Sequence, residues 1–469
     1  MPHLYLAAPQ KSSGKTTLAI GLCRALRRRG LDIQPFKKGP DYIDPFWLTQ
    51  AAGRPCFNLD FHTMSEPEIC GLFAQGLAGA DLGLIEGNVG LFDSTDLQGA
   101  HSNAELAKLL GSPVVLVVNC QGLGRGIAPL LLGYQGFDPK LKIAGVILNR
   151  IGGGRHGENL RRVVEHYTDL PVLGLVPRDE GIAIAERHLG LIPSNETRDA
   201  ESVIEAIAAQ IDQGVDFERL LTIAHAASVS GSIPIYEATS RACAEDTQSL
   251  QTAQRVRIGI ARDAAFGFYY PDDLAALTQG GAELVPFSPL ADPILPEVDA
   301  LFIGGGFPEC HMARLEANGS LRAAIRAFIA RGGPVYAECG GLMYLCRAIR
   351  WGSERREMVG ALDAEVEMRP EPQGRGYVRL VETEDFPWPR LGNGPAEIPA
   401  HEFHHSLILD PDPNWRYGYA VRRGRGIDGA HDGIVQGNVF ACYSHLRATA
   451  GHRWTERFLA HVRRTLQTA

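Results

Sequence analysis

The chain has 469 residues, 45% of them apolar and 21% charged, and a formal net charge of −8. This excludes the basic footprint of a nucleic-acid or membrane-surface binder, and no apolar run or leader pattern supports a membrane span or export. Nine irregularly spaced cysteines without a CxxC pair suit reduced thiols in a cytoplasmic α/β protein of two or three domains.

From His3 to about Val176, "HLYLAA", "LDIQPF", "DLGLIE", "PVVLVVN", "KIAGVILN" and "PVLGLV" read as strands that are apolar on both faces. The stretches between them, such as "KTTLAIGLCRALRRRG" and "HSNAELAKLLG", have helical spacing and end near glycine. Such alternation predicts βαβ units and a parallel sheet covered on both sides. The basic run from Arg24 through Arg27 to Arg29 receives no functional role.

The first strand leads into "AAPQKSSGKTT". The phosphate-loop spacing GxxxxGK[ST] is met at Gly14, Lys15 and Thr16, with Pro9 in place of the first glycine. Backbone amides across Ser12, Ser13, Gly14 and Thr17, at a helix N-terminus, suit the phosphates of ATP or GTP. Lys15 is expected to reach the outer phosphates and the Thr16 hydroxyl to bind Mg²⁺. Partitioning-type switch ATPases carry a further lysine at what would be position 10; Gln10 stands there, with Lys11 next to it. Glu86 ends the strand in "LGLIEGNVGLFD" and Asp93 follows seven residues later, while "KKGPDYIDP" adds Asp41 and Asp44. Acids at the carboxyl ends of parallel strands are placed for metal and substrate.

The small, polar, aperiodic stretch from Ala224 to Gln254 reads as an interdomain linker. "RVRIGIA", "AELVPF", "VDALFIGGG" and "GPVYAE" then begin a second α/β unit, which turns β-rich after Gly360 and closes on the helix "HRWTERFLAHVRRTL". In "PVYAECGGLMYL", Cys339 sits between a strand and a helix with Gly340 and Gly341 behind it. A tight turn of this kind exposes a nucleophile, and the helix N-terminus favours a thiolate. His445 in "VFACYSHLR" is the candidate base. The glycine turn Gly304–Gly306, with Gly305, Gly306 and Gly340, offers oxyanion-binding amides. Cys346 and Cys442 lack this context and read as structural. A glutaminase that releases ammonia, joined to a nucleotide site that activates a carboxylate, accounts for both constellations.

"KGPDYIDP", "RPCFNLD", "EGNVGLFD", "RHLGLIPSNE", "FIGGGFPE", "YAECGGLMYL" and "HEFHHS" occur in this order, and across nearly the whole chain the pattern resembles the cobyrinic acid a,c-diamide synthase family. The resemblance implies a dethiobiotin-synthetase-like P-loop parallel-sheet domain over residues 1–223, a linker over 224–254 and a class I glutamine-amidotransferase-like α/β domain over 255–469. It implies ATP- and glutamine-dependent amidation of acetate side chains on a tetrapyrrole polycarboxylate, through an acyl phosphate. By motif, Cys339 is the nucleophile and His445 its base; the phosphate loop and Glu86 bind Mg·ATP, and Asp41, Asp44 and Asp93 line the metal and carboxylate site. Asn149 would face the adenine edge.

The chain departs from the family pattern in two places. Arg447 stands where amidotransferases of this class place a glutamate, two residues after the histidine, so the group that orients His445 is unassigned. Lys38 and Trp47 replace a small residue and a histidine where the tetrapyrrole is expected, a variation associated with siroheme-amidating relatives. Two other readings stay open: a switch ATPase with a vestigial second domain, and a dethiobiotin-synthetase relative that carboxylates a diamine. The sequence also leaves a homodimer open.

Overall fold

The computed structural model describes residues 1–179, 181, 184–187, 190–227, 255–390 and 397–468. The chain divides into two compact units, Met1–Tyr236 and Glu237–Ala469. Of the stretch read as a linker, residues 224 and 225 close the helix Phe217–His225, and residues 228–254 lie outside the described residues.

In the first unit, β1 (His3–Ala7), β2 (Ile33–Lys38), β3 (Phe57–Leu59), β4 (Leu82–Glu86), β5 (Val114–Asn119), β6 (Ile143–Ile151) and β7 (Val172–Pro177) form one parallel sheet in the order β3-β2-β4-β1-β5-β6-β7. Leu4 and Leu6 point into one core and Tyr5 and Ala7 into the other. Helices cover both faces, so alternate side chains on either side of a strand must be apolar and the run reads as continuous. The carboxyl ends of β1, β2 and β4 lie side by side, where ligands gather in open α/β sheets.

Helix α1 (Lys15–Arg28) and helix α2 (Ile43–Ala52) follow β1 and β2. The basic run in α1 clasps the helix Ala200–Gly214. Arg24, buried, lies 2.5 Å from Glu201 and 2.8 Å from Glu205, and Arg29 lies 2.5 Å from Asp212. Trp47 of α2, where the sequence reading expected substrate, is fully buried in the core, its indole N–H donating to the Ile192 carbonyl at 2.9 Å. A bulky aromatic residue on the inward face of α2 is a packing residue, and the expectation is corrected.

After a two-strand hairpin (β8, Glu186–Arg187; β9, Gly190–Leu191), the second unit is built on β10 (Val256–Ala261), β11 (Ala282–Phe287), β12 (Ala300–Ile303) and β13 (Val335–Glu338). A small four-stranded sheet holds β14 (Cys346–Trp351), β15 (Glu354–Glu357), β16 (Leu362–Met368) and β19 (Ser406–Leu409). The nine-stranded sheet is completed by β17 (Gly374–Glu382), β18 (Glu397–His404), β20 (Arg416–Arg423), β21 (His431–Gln436) and β22 (Val439–Cys442), in the order β11-β10-β12-β13-β22-β21-β20-β17-β18. It is parallel from β11 to β22 and antiparallel beyond. The decisive pairing is β13 with β22, which sets Ala337 beside Ala441 and Glu338 beside Cys442.

Phe302, Tyr336 and Phe440 form a stacked ladder across β12, β13 and β22, with centroids 5.0 and 5.9 Å apart. Trp388, Trp454 and Phe458 pack onto it. Cross-strand aromatic pairs of this kind lock register as well as burying area. Among the described residues no helix is long and apolar enough to cross a membrane, and the eight described cysteines are free thiols. Replacing the fully buried Phe440 by alanine leaves a hole in this ladder. The expected loss of unfolding free energy for the second unit is about 3–5 kcal/mol by urea titration; a loss below about 1 kcal/mol would contradict the packing described.

Candidate active sites

The loop between β1 and α1 holds two left-handed residues, Ser12 (φ 59°) and Gly14 (φ 86°). A Cβ on Gly14 would stand 2.3 Å from Asn149 Nδ2, so the position is closed to side chains. Asn149 Nδ2 donates to the Ser13 carbonyl at 2.9 Å, Ser13 Oγ donates to the Gln10 carbonyl at 2.8 Å, and Tyr134 O–H donates to the Pro9 carbonyl at 2.8 Å. Asn149, expected at an adenine edge, thus gives its amide nitrogen to the phosphate loop. Thr17 sits in the first turn of α1.

Lys15 is buried, and its ammonium donates to the Val89 carbonyl at 2.7 Å. Burial pulls its pKa down to about 8, against the upward pull of Glu86, Asp44 and Asp93. Thr16 Oγ1 lies 2.6 Å from Glu86 Oε1 and 3.2 Å from Asp44 Oδ2. Asp41 Oδ1 accepts the amides of Ile43 and Asp44, and burial beside Asp44 pushes its carboxyl up to about 7. Asp93 accepts the Gly90 amide at 2.8 Å. Gly90 itself is pressed against the phosphate loop, where a Cβ would lie 2.5 Å from the Pro9 carbonyl.

At the centre of the acids stands Lys37, which the sequence reading passed over in favour of Lys38. Its ammonium is 2.5 Å from Asp44, 3.0 Å from Glu86 and 3.8 Å from Asp41. Burial alone would discharge it, but these three carboxylates outweigh burial and hold its pKa well above the usual lysine value. The missed signal was the register of parallel β2 and β4, which sets Lys37 beside Glu86. Lys38 is also buried, with its ammonium 3.5 Å from Asn88 Oδ1; burial lowers its pKa to about 8.

The donors here are oxygens: the Thr16 hydroxyl and the carboxylates of Glu86, Asp44 and Asp41. Glu86 Oε2 is buried without a hydrogen-bond partner among the described residues. No group of three or more His, Cys, Asp or Glu among the described residues is placed to hold a metal ion by itself. That pattern fits Mg²⁺, which is commonly held by one or two carboxylates together with substrate phosphates.

In the second unit, Cys339 follows β13 with φ 47° and ψ −103°, a strained backbone for a non-glycine residue. Its amide donates to the Cys442 carbonyl at 2.8 Å, and the Cys339 carbonyl accepts from Met343 as the helix Gly340–Leu345 begins. The turn is too tight for side chains: a Cβ on Gly341 would lie 2.0 Å from the Ile303 carbonyl, and one on Gly340 would lie 3.0 Å from the Gly306 amide nitrogen. Gly305 leaves room for the imidazole, since a Cβ there would stand 2.6 Å from His445 Cε1. The three glycines expected to offer oxyanion amides therefore crowd around the Cys339 turn and His445.

His445 lies just beyond β22, in hydrogen-bonding contact with the Cys339 side chain, and its Nδ1 donates to Glu338 Oε2 at 3.2 Å. Burial works against its charged form, but Cys339 and Glu338 together push the pKa up to about 10. Its backbone is clamped to His401 of "HEFHHS" by two hydrogen bonds of 2.7 and 3.3 Å. In the same motif, the Phe403 carbonyl lies 3.9 Å from Cys339 Sγ, and the His404 ring stacks on Tyr443 at 3.8 Å. Arg447 is buried and paired with Asp272 at 2.9 Å over the Tyr270 ring.

Residues 5–192 match a family model described as CobQ/CobB/MinD/ParA nucleotide binding domain, and residues 257–452 one described as CobB/CobQ-like glutamine amidotransferase domain. The cobyrinate a,c-diamide synthase of Magnetococcus marinus is 45% identical over 98% of this chain and 97% of its own length. That of Methanosarcina acetivorans is 41% identical over 96% of this chain and 93% of its own length. A solved structure of PurLQS from Thermotoga maritima matches 46% of this chain over 99% of its own, at 17% identity and a TM-score of 0.35. With such identity over almost its full length, this chain belongs to the cobyrinate a,c-diamide synthase family.

Proposed function

We propose that this chain is an ATP- and glutamine-dependent amidotransferase that converts the a and c acetate side chains of a corrin such as cobyrinate into amides. The observation that carries this reading is the Cys339 turn, with His445 against it, in the same chain as the Lys15 phosphate loop. Residues 1–223 form the ATP-binding amide synthetase domain and residues 255–469 the glutaminase domain, and the cytoplasm supplies both co-substrates.

In the glutaminase half, Cys339 Sγ attacks the side-chain carbonyl carbon of glutamine. The oxyanion is held by amides at Gly305, Gly306 and Gly340. His445 gives a proton to the leaving nitrogen, NH₃ departs, and water then attacks the thioester and releases glutamate and the thiol. In the synthetase half, a substrate carboxylate oxygen attacks the γ-phosphorus of ATP, giving ADP and an acyl phosphate; NH₃ then displaces inorganic phosphate. A carboxylate alone is inert to ammonia at neutral pH, so the phosphoryl group supplies the leaving group. Mg²⁺, when bound by Thr16, Glu86 and Asp41 with the phosphates, would neutralise charge on the transferring group. Lys15 and Lys37 add positive charge at the same place, and Asp44, Lys38 and Asp93 line the carboxylate side. Siroheme amidation was suggested by Lys38 and Trp47; with Trp47 sealed in the core, Lys38 alone supports it.

Lys15→Ala is expected to reduce amidation by about 10²-fold or more with glutamine or ammonium alike, because it removes a charge from the transferring phosphate. Cys339→Ser should lose glutamine-dependent amidation and keep the ammonium-dependent reaction at raised pH. Mass spectrometry of products from cobyrinate, hydrogenobyrinate, sirohydrochlorin and siroheme reads both variants. Two amides on a corrin support the proposal, and conversion confined to siroheme or its precursor would overturn its substrate.

A further inference from the structure

We propose that Glu338, the residue immediately before the nucleophile, is the positioning residue for His445, in place of the glutamate this chain lacks two residues after the histidine. The inference rests on the reading of Cys339 and His445 as a glutaminase pair. At the usual position, Arg447 is a cation and cannot accept an imidazole N–H. Its guanidinium is committed to Asp272, through Nε at 3.2 Å and Nη2 at 2.9 Å.

Glu338 is placed by the sheet itself. It is the last residue of β13, its ladder partner is Cys442 of β22, and His445 follows three residues after that partner. Its two oxygens do different work. Oε1 accepts the Leu446 amide at 3.0 Å and the Tyr336 hydroxyl, while Oε2 accepts His445 Nδ1–H at 3.2 Å. The carboxylate therefore cannot rotate without losing a buried hydrogen bond, and it holds the imidazole in the Nδ1–H tautomer. Nε2 is then the nitrogen left with a lone pair for the Cys339 thiol. The Glu338 side chain is 5% exposed, so its charge needs a partner in place, and the imidazolium formed when Cys339 ionises supplies one. Orientation of a catalytic imidazole by a buried carboxylate is the role of the third member of hydrolase triads. Here that member comes from the nucleophile's own strand.

Glu338→Gln tests this, because both partners of Oε1 are donors. The glutamine carbonyl must take that place and turn its NH₂ toward Nδ1, which forces the proton onto Nε2. The expected result is a fall in kcat for glutamine hydrolysis of about 10²–10⁴-fold, with KM for glutamine within about threefold. Alkylation at Cys339 by iodoacetamide, followed by peptide mass spectrometry, should need a pH higher by about one unit or more, since the imidazolium loses its counter-charge. Ammonium-dependent amidation should persist and so report an intact fold. If that activity also falls, Glu338→Asp decides: a restored charge must bring back the low-pH alkylation, and failure to do so overturns the proposal. Glutamine turnover by Glu338→Gln within about threefold of the parent, with an unshifted alkylation profile, also overturns it and leaves Cys339 as nucleophile. Cys339→Ser that still hydrolyses glutamine would sink the underlying glutaminase reading instead.

Discussion

The amide of Cys339 donates to the carbonyl of Cys442 across 2.8 Å, the last rung between two parallel strands. Everything in the second unit's chemistry hangs from that rung. Parallel neighbours end on the same edge of a sheet, so residues about a hundred positions apart emerge together. Glu338 and Cys339 leave β13, His445 leaves the loop after β22, and the glycines after β12 complete the ring. The stacked aromatic ladder beneath them fixes the register on which these distances depend. A slip of one residue would turn Glu338 to the opposite face.

Buried charge imposes the same discipline on both units. A lone ammonium or carboxylate inside a protein is costly and is discharged or paired. In the first unit Lys37 is sealed among Asp44, Glu86 and Asp41, with Thr16 hydrogen-bonded to two of them. In the second, Glu338 is satisfied by Tyr336, Leu446 and His445. Each cluster is held ready by backbone geometry: the phosphate loop by Asn149 and Tyr134, the thiol turn by the tightly approached Gly340 and Gly341. Strain at Cys339 is localised at the strand-to-helix turn, where its side chain, expected from the sequence to be exposed, is buried.

Local pattern made much of this legible. The apolar strand runs, the "SSGKTT" loop and the "AECGG" turn each carry their meaning within about a dozen residues, because dihedral demands and period-two burial are local. What escaped depended on strand order. Lys37 and Lys38 are adjacent, and only the pairing of β2 with β4 shows that Lys37 meets Glu86. Glu338 is adjacent to Cys339 in the sequence, but its partner His445 lies 107 positions away and meets it only through the pairing of β13 with β22. Trp47 misled for the opposite reason: a motif suggested substrate where the inward face of a helix demanded packing.

The account's central claim is that nitrogen freed at Cys339 becomes the amide nitrogen of the product. The most direct measurement gives the enzyme glutamine carrying heavy nitrogen only in its side-chain amide, with Mg·ATP, cobyrinate and unlabelled ammonium in competition. The account predicts heavy nitrogen in both new amides and none in the glutamate released. Product amides that carry only nitrogen from the bulk ammonium would contradict it, whatever the rate of glutamine hydrolysis.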